Sequence, residues 1–546
     1  MKDYNLAELY TNSFQKNWNN LAFSDYEGKD FKYSEIAEII KSLHLFYQLI
    51  GIQKGDKIAV VGRNSAHWGA TFLSAISAGL VVVPVLPDFN ESDTNHIINH
   101  SESKIVIGAE SLLEKVDLEK SANLQAILVL ENFSLHQAKD ENIQYKLNDA
   151  FNYYKENKLE PQGFVFEKWQ EDEMCIISYT SGTSGFTKGV MIPERSLVSN
   201  IIYAQEHIPV KRGDKIVSFL PMAHVYGLLF EFLFPASIGC HITFLSKIPT
   251  PAIITKVFGM VKPRLILSVP LVIEKIYKKR LLPTLQKPVI KFLLAIPGIS
   301  NILLNKIKTK LEETFGGNFL EIVIGGAPLS ADVEKFFKRI NFRFTIGYGM
   351  TECGPLISYD GWKTSMSSSA GKLVDRMEIR IDSEDPYNIV GEIQVKGENI
   401  MLGYYKNEEA TKETFTEDGW LKTGDLGIID KSNYVYIRGR SKNMLLGPSG
   451  QNIYPEEIEA KICNQNHVAE CVVTDRDGKL VALVYPDFES LKLEKIPDTE
   501  IENIMEENRK KANAELPKYE QVSSIEIVKE EFEKTPKKNI KRYKYV

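Results

Sequence analysis

Short apolar runs rich in Val and Ile alternate with helical stretches along much of this chain, and that alternation limits the fold more than any other feature. Residues 57 to 86 carry it in its plainest form: Lys57-Ile-Ala-Val-Val61, a stretch capped by Ser65 and closed at Ala78-Gly79, then Val81-Val-Val-Pro-Val85. Strand, helix and strand in that order predict a βαβ unit, whose two strands run parallel. Ile105-Val-Ile107 and Ala126-Ile-Leu-Val-Leu130 extend the pattern, separated by a polar helical stretch. After a polar segment from 134 to 172, it resumes with Met174-Cys-Ile-Ile-Ser178, Lys215–Leu220, Arg264–Ser268 and Phe319–Ile324. Parallel sheets host their sites at strand ends, so those ends are where function is expected.

The stretch following Ser178 is the most telling of them. Tyr179-Thr-Ser-Gly-Thr-Ser-Gly-Phe-Thr-Lys188-Gly189 places hydroxyls at Thr180, Ser181, Thr183 and Ser184 and glycines at Gly182, Gly185 and Gly189 around one lysine. Such a loop can wrap closely on phosphate oxygens and donate hydrogen bonds to them. A flexible linker of the same composition would not follow a buried strand and end in a single lysine. The GTPase-type loop is excluded because Gly189, rather than Ser or Thr, follows Lys188. The expectation is a nucleotide loop of another kind, leaving the edge of a parallel sheet.

Length and composition frame these motifs. At 546 residues the chain exceeds one hydrophobic core, so two or more domains are expected. A formal charge of −6 argues against a protein that coats nucleic-acid backbones. Five scattered cysteines form no CxxC pair, which predicts neither a disulfide framework nor structural zinc and suits a reducing compartment. The first residues lack a signal-peptide core, and no run of about 18 apolar residues suggests a membrane span. The expected location is cytoplasmic.

Two further regions change texture. Between 275 and 311, Lys278, Lys279, Arg280, Lys287, Lys291, Lys306, Lys308 and Lys310 are interleaved with Leu, Ile and Phe. That pattern suits a helix lying on an anionic membrane surface, at the inner membrane face, or a helical hairpin packed on its own domain with lysine stems snorkelling. From about 371 to 437, short strands with glycine turns predict a small antiparallel β unit. Beyond Arg438-Gly-Arg-Ser-Lys442 the pattern is α+β: a helix over about Pro455 to Cys463, strands over Glu470–Thr474 and Val481–Tyr485, and a charged helix near 500 to 514. The domain boundary is expected near 440.

Four other stretches carry residues suited to a site. Leu220-Pro-Met-Ala-His224-Val-Tyr226-Gly227 sets a histidine and a tyrosine after a strand, and Ile324-Gly325-Gly326-Ala327-Pro328 ends a strand in glycines against which a flat ligand can lie. Gly347-Tyr348-Gly349-Met350-Thr351-Glu352 offers a stacking ring, a hydroxyl for phosphate and a carboxylate for magnesium. Asp418-Gly-Trp420-Leu-Lys-Thr423-Gly424-Asp425 offers a carboxylate for ribose hydroxyls. Taken singly, each also fits a structural turn.

In this order and at these intervals, the motifs resemble the adenylate-forming superfamily of acyl-CoA synthetases, adenylation domains and luciferases. The resemblance implies an α/β fold: a large N-terminal domain, 1–440, of stacked and mostly parallel sheets with helices and a β-rich part at about 371–437, followed by a small mobile α+β domain, 441–546. It implies ATP-dependent activation of a carboxylate with magnesium, followed by opening of the acyl-adenylate by CoA. By the same resemblance, Thr180, Ser181, Gly182, Thr183, Ser184, Gly185 and Lys188 hold the β- and γ-phosphates, and Thr351 holds the α-phosphate. Glu352, with Thr180, holds the metal. Gly325, Gly326, Ala327 and Pro328 with Tyr348, Gly349 and Met350 hold adenine, and Asp425 and Arg440 hold ribose. Lys442 marks the hinge, and His224 closes the acyl site.

The tail departs from the family pattern. Relatives of this type end in Thr-Pro-x-x-Lys-[Ile/Leu]-Lys-Arg, whose lysine bridges carboxylate and α-phosphate. Here the run is Thr535-Pro-Lys-Lys538-Asn539-Ile540-Lys541-Arg542, with asparagine at that place. Asn539 supplies no charge, so Lys538, or else Lys541, is expected to reach in. The segment Ser268–Tyr277 and the insertion after it look like long-chain fatty acyl-CoA synthetases, implying a fatty acid as partner alongside ATP and CoA. Two other readings stand beside it: an adenylating enzyme loading another carboxylate on a carrier protein, although no carrier domain follows in these 546 residues, and a non-catalytic ATP- or acyl-AMP-binding protein. The sequence is silent on oligomeric state.

Overall fold

The computed structural model describes residues 4–181, 187–446, 451–476, 478–535 and 540–545, with side chains at 181, 187, 279 and 280 outside that description. Gly182, Thr183, Ser184, Gly185 and Lys538, all expected in the site, lie outside the described residues.

The predicted βαβ unit forms as expected. Lys57–Val61 pairs in parallel with Val81–Val85, and between them runs the helix Ala66–Ser77, whose first turn is capped by Ser65 Oγ accepting from the Trp68 amide at 3.1 Å. Gly79, at φ +74°, ends it in a left-handed turn that a side chain would strain. This unit is the centre of an eight-stranded sheet in the order Gly403–Tyr404, Thr187–Pro193, Met174–Ser181, Val81–Val85, Lys57–Val61, Ser103–Gly108, Ala126–Val129, Leu135–Ala138. The five strands from Met174–Ser181 to Ala126–Val129 are parallel, and the strands at both margins are antiparallel. The helical stretch expected before Ala126 is a short 3-10 turn, Glu110–Lys115.

One expectation is corrected. Met174–Ser181 is not at a sheet edge but lies between Val81–Val85 and Thr187–Pro193. The chain beyond it returns antiparallel, with Thr180 opposite Lys188. Tyr179–Ser181 and Thr187–Gly189, the described ends of this stretch, are therefore the paired arms of a β-hairpin.

A second sheet, Lys215–Ser218, His241–Phe244, Leu21–Asp25 and Asp30–Lys32, and a third of three parallel strands, Ile266–Ser268, Ile322–Ile324 and Phe344–Ile346, complete the α/β body. The β-rich part is an antiparallel sheet of Met377–Asp382, Gly391–Gly397, Leu421–Ile429 and Val435–Arg440. One apolar cluster runs through all of this from Leu6 to Val435. A separate cluster, from Ile453 to Val522, lies under the helices Pro455–Cys463 and Asp498–Ala514 and the sheet Val468–Arg476, Lys479–Pro486, Ser524–Ile527.

Residues 270 to 314 are helical throughout most of their length: Pro270–Ile276 runs into Tyr277–Leu281 and Leu282–Leu285, and Pro288–Ala295 folds back on Ile299–Thr314. Ile299–Thr314 buries Leu304 and Leu311, whereas Pro288–Ala295 buries nothing. Among the described residues, no helix is long and apolar enough to cross a membrane.

Aromatic side chains lock the layers together beside the site. Phe232 is fully buried among Phe23, Phe72 and Phe244, at ring-centre distances of 5.6, 6.0 and 6.0 Å. A Cβ on Gly69 would lie 3.0 Å from the same ring, so the helix Ala66–Ser77 approaches it closely. Phe232→Ala is expected to lower unfolding free energy by about 3–5 kcal/mol, read as a lower urea midpoint; an unchanged midpoint would show that the layers do not depend on this ring.

Candidate active site

Three strands from three sheets, Lys57–Val61, Lys215–Ser218 and Ile322–Ile324, end at one place, and buried polar groups hold their ends. The Asn64 side chain donates to Ser218 Oγ at 2.9 Å and to the Leu220 carbonyl at 2.7 Å, and accepts from the Met222 amide at 3.0 Å. The Glu231 carboxylate accepts from the Phe219 and Leu220 amides, both at 2.9 Å. Burial pushes its acid well above the ordinary range, against the pull of those two amides. Together these groups fix residues 218–222, whose chain then delivers His224 to the start of the short helix Val225–Gly227. From that helix the Tyr226 hydroxyl donates to the Val323 carbonyl at 3.0 Å. A Cβ at Gly325 would stand 3.2 Å from the Tyr226 ring, so glycine lets the strand end and the aromatic lie this close without either shifting.

A second group joins Tyr348–Gly349, which pairs with Leu356–Ser358 just beyond the third sheet, to the four-stranded antiparallel sheet. The Tyr348 hydroxyl donates to Asp425 Oδ2 at 2.6 Å, while Arg440 Nε lies 2.8 Å from Asp425 Oδ1. Arg440 also donates to the Thr423 carbonyl at 3.2 Å. Strand register makes this possible, because Asp425 and Arg440 sit directly opposite each other. Burial raises the Asp425 carboxyl and Arg440 opposes the rise. The Tyr348 phenol is pushed far up by burial and by Asp425, so it stays a proton donor. A carboxylate has about four acceptor positions, so Asp425 keeps capacity for a further donor after these two.

The third group crosses from the hairpin to residues 347–352. Lys188 Nζ sits 4.6 Å from the Tyr404 ring centre, and the Tyr404 hydroxyl donates to Glu352 Oε1 at 2.9 Å. Tyr404 reaches both because Gly403–Tyr404 pairs with Thr187–Pro193 at the sheet margin. The Met401 amide donating to the Glu352 carbonyl at 2.9 Å reinforces the junction. Thr180 Oγ1 lies within 3.5 Å of the Lys188 carbonyl across the hairpin.

All three groups face one cleft of about 2950 Å³. Its walls include Thr180, Lys188, His224, Gly325, Gly326, Ala327, Pro328, Tyr348, Gly349, Met350, Thr351, Glu352, Asp425, Arg440 and Lys442. Of the expected site residues, these are brought together; Ser181 is the last residue of its strand. Glu352, a carboxylate, and Thr180, a hydroxyl, both line this cleft, and oxygen donors of these kinds suit a hard divalent cation. Apolar residues Leu220, Val225, Phe230, Leu267 and Val269 line another part. The far wall comes from the C-terminal unit and includes Lys534, Thr535 and Lys541. There Lys541 is ion-paired with Glu533, and Lys534 lies 2.5 Å from Glu470.

Sequence reasoning missed Asn64, Glu231 and Tyr404. Glu231 had left a trace, since an acid between Phe230 and Phe232 in an apolar run needs buried donors. Tyr404 had left none, because its partner Glu352 is 52 residues away.

Comparison with known proteins adds the following. The family model described as AMP-binding enzyme matches residues 11–405, and the model described as AMP-binding enzyme C-terminal domain matches residues 443–546. The chain is similar to long-chain-fatty-acid–CoA ligase 1 of Saccharomyces cerevisiae, with 28% identity over 533 residues covering 88% of this chain and 75% of that protein. It is 26% identical over 488 residues to long-chain-fatty-acid–CoA ligase FadD15 of Mycobacterium bovis, covering 85% of this chain and 78% of that one. In fold it is similar to the crystal structure of the anthranilate CoA ligase AuaEII in complex with anthranoyl-AMP, with a TM-score of 0.79, 18% identity, and coverage of 99% of this chain and 96% of that one.

The role of Glu231 can be separated from its charge. Glu231→Ala strands two buried amides and is expected to cost about 2 kcal/mol or more in unfolding free energy, whereas Glu231→Gln, which keeps an acceptor, is expected to cost less than about 1 kcal/mol. Equal losses in denaturant titrations of the two variants would show that the acceptor is not what matters.

Proposed function

This chain belongs to the AMP-binding enzyme family and is an AMP-forming acid–thiol ligase, and from that premise we propose that its acid is a long-chain fatty acid and its thiol is CoA. The observation that carries the reading is the shared cleft: phosphate-suited, metal-suited and ribose-suited groups stand on one wall system, beside an apolar recess lined by Phe230, Leu267 and Val269. Each CH₂ buried in such a recess contributes about 0.8 kcal/mol, which favours long chains over short ones. The names of the similar ligases from yeast and Mycobacterium point the same way.

In the first half-reaction a carboxylate oxygen attacks the α-phosphorus of ATP, the bond to the bridging oxygen breaks, and pyrophosphate leaves. Lys188 and the hairpin from Thr180 neutralise the β- and γ-phosphates, and Thr351 donates to the α-phosphate. Glu352 and Thr180 would hold magnesium, which supplies charge neutralisation for the departing pyrophosphate. Gly325 to Pro328, with Tyr348, Gly349 and Met350, hold adenine between backbone and ring. Asp425 and Arg440 orient the ribose; the Tyr348 hydroxyl, by donating to Asp425, keeps that carboxylate turned towards the cleft.

His224, at the mouth of the apolar recess, separates acyl chain from nucleotide. Lys538 brings a positive charge to the reacting carboxylate and α-phosphate in place of Asn539. In the second half-reaction the CoA sulfur, losing its proton, attacks the acyl carbonyl and AMP leaves. That step needs CoA admitted where the tail had closed the cleft, and Lys442, in the turn Ser441–Asn443 that leads from the β-rich part, is the pivot for residues 441–546. We place the protein in the cytoplasm, in keeping with five cysteines that carry no disulfide.

One assay tests this reading: purified protein with ATP, magnesium, CoA and a panel of acids, followed for AMP and thioester. Palmitate-dependent AMP with palmitoyl-CoA is expected. AMP without thioester would replace CoA by a carrier-protein thiol, and ATP binding without turnover would make the protein a binder. Two variants sharpen it. Lys538→Ala is expected to slow AMP release by about 100-fold or more while sparing thioester formation from supplied palmitoyl-adenylate; an unchanged first step would remove that lysine from the mechanism. Asp425→Asn, by weakening charge-assisted bonds to ribose, is expected to reduce ATP affinity by about 1.5–3 kcal/mol, roughly ten- to a hundredfold in calorimetry.

A further inference from the structure

Between Lys275 and Leu311 the chain carries nine basic residues and no acid, although the whole protein has a formal charge of −6. Inside this stretch the helix Pro288–Ala295, with the sequence PVIKFLLA, buries none of its residues. Val289 and Phe292 are each 68% exposed, and Ile302 on the neighbouring helix is 72% exposed. A helix of this length is marginal in water unless an apolar face is covered; Leu294 packs partly on the core, but Val289 and Phe292 are left uncovered by the described chain. Lys287, Lys291, Lys306 and Lys310 stand exposed around it. Lys278 is occupied elsewhere, donating to the Cys463 carbonyl at 3.2 Å, and Lys308 lies 4.0 Å from Glu312.

We propose that the hairpin 288–310 docks on a lipid bilayer bearing anionic headgroups, with Val289, Phe292 and Ile302 entering the acyl boundary and the lysines meeting phosphates. Charge selects this occupant. A second copy of the chain seated symmetrically would set one acid-free basic face against another, whereas an anionic bilayer complements both the apolar and the basic character. Position gives the contact a use. The helix Pro270–Ile276, which leads into the hairpin, lends Leu271, Glu274 and Lys275 to the wall of the cleft. Docking at the hairpin would tie the bilayer to this cleft-lining helix through a nearly continuous run of helices. This deepens the fatty-acid reading by naming the surface from which the acid is collected, and it rests on that reading only for its purpose, since docking needs no ATP.

The test is flotation of the full-length protein with vesicles of phosphatidylcholine alone or mixed with phosphatidylglycerol. Binding to the anionic vesicles is expected to be roughly tenfold stronger and to fall with salt. The double variant Phe292→Glu, Ile302→Glu is expected to lose roughly tenfold of that binding. Its melting temperature should be unchanged, since both positions are exposed. Absence of wild-type flotation with anionic vesicles, or equal flotation of the variant, overturns the proposal. So does a gel-filtration dimer of wild type that the variant abolishes, because the face would then cover itself. Palmitate-dependent AMP release without vesicles, measured on both proteins, reports separately on the ligase reading.

Discussion

The contact on which the site depends is a single phenol. Tyr404 stands at the outer margin of the eight-stranded sheet, carrying Lys188 over its ring and donating its hydroxyl to Glu352. Without it, the hairpin and the Gly347–Glu352 segment would belong to different sheets with no side-chain link between a cation and a carboxylate that the proposed chemistry sets around one triphosphate. A direct Lys188–Glu352 pair would neutralise both charges; an aromatic spacer keeps them adjacent while leaving each available to a ligand.

The same economy recurs at Asp425. Burial disfavours its charge, and only Arg440 across the strand pair and the Tyr348 hydroxyl compensate. The resulting carboxylate is held in one orientation with acceptor positions remaining, which is what binding a pair of sugar hydroxyls requires. Glu231 and Asn64 act one layer further back, where their role is to fix the backbone from which His224 and Tyr226 project. Function thus rests on a small number of buried polar side chains, each tied to the backbone or to a neighbour by at least one hydrogen bond, set among apolar sheets that exclude water.

How much of this was legible depended on distance along the chain. The βαβ unit at 57–85 and the helix Pro455–Cys463 follow from caps and periodicity within a dozen residues, and both form as read. The placement of Met174–Ser178 at a sheet edge was misread because nothing local shows that the chain returns to cover that side; pairing with Thr187–Pro193 decides it. Thr-Gly-Asp and Tyr-Gly-Met-Thr-Glu stood out as motifs, yet the bond joining Tyr348 to Asp425 spans 77 positions and no pattern announces it. The basic, apolar stretch after 275 divides by helix: Ile299–Thr314 packs through the buried Leu304 and Leu311, while Pro288–Ala295 buries no residue fully and leaves Val289 and Phe292 exposed.

The central claim is that Lys188 and Glu352 attend one nucleotide, and a double-mutant cycle on ATP affinity measured by calorimetry in the presence of magnesium tests it most directly. Lys188→Ala and Glu352→Gln should each weaken ATP, and the pair should depart from additivity by more than about 0.5 kcal/mol, as groups sharing one triphosphate do. ATP affinity untouched by either substitution, or losses that simply add, would mean that the two residues serve separate sites.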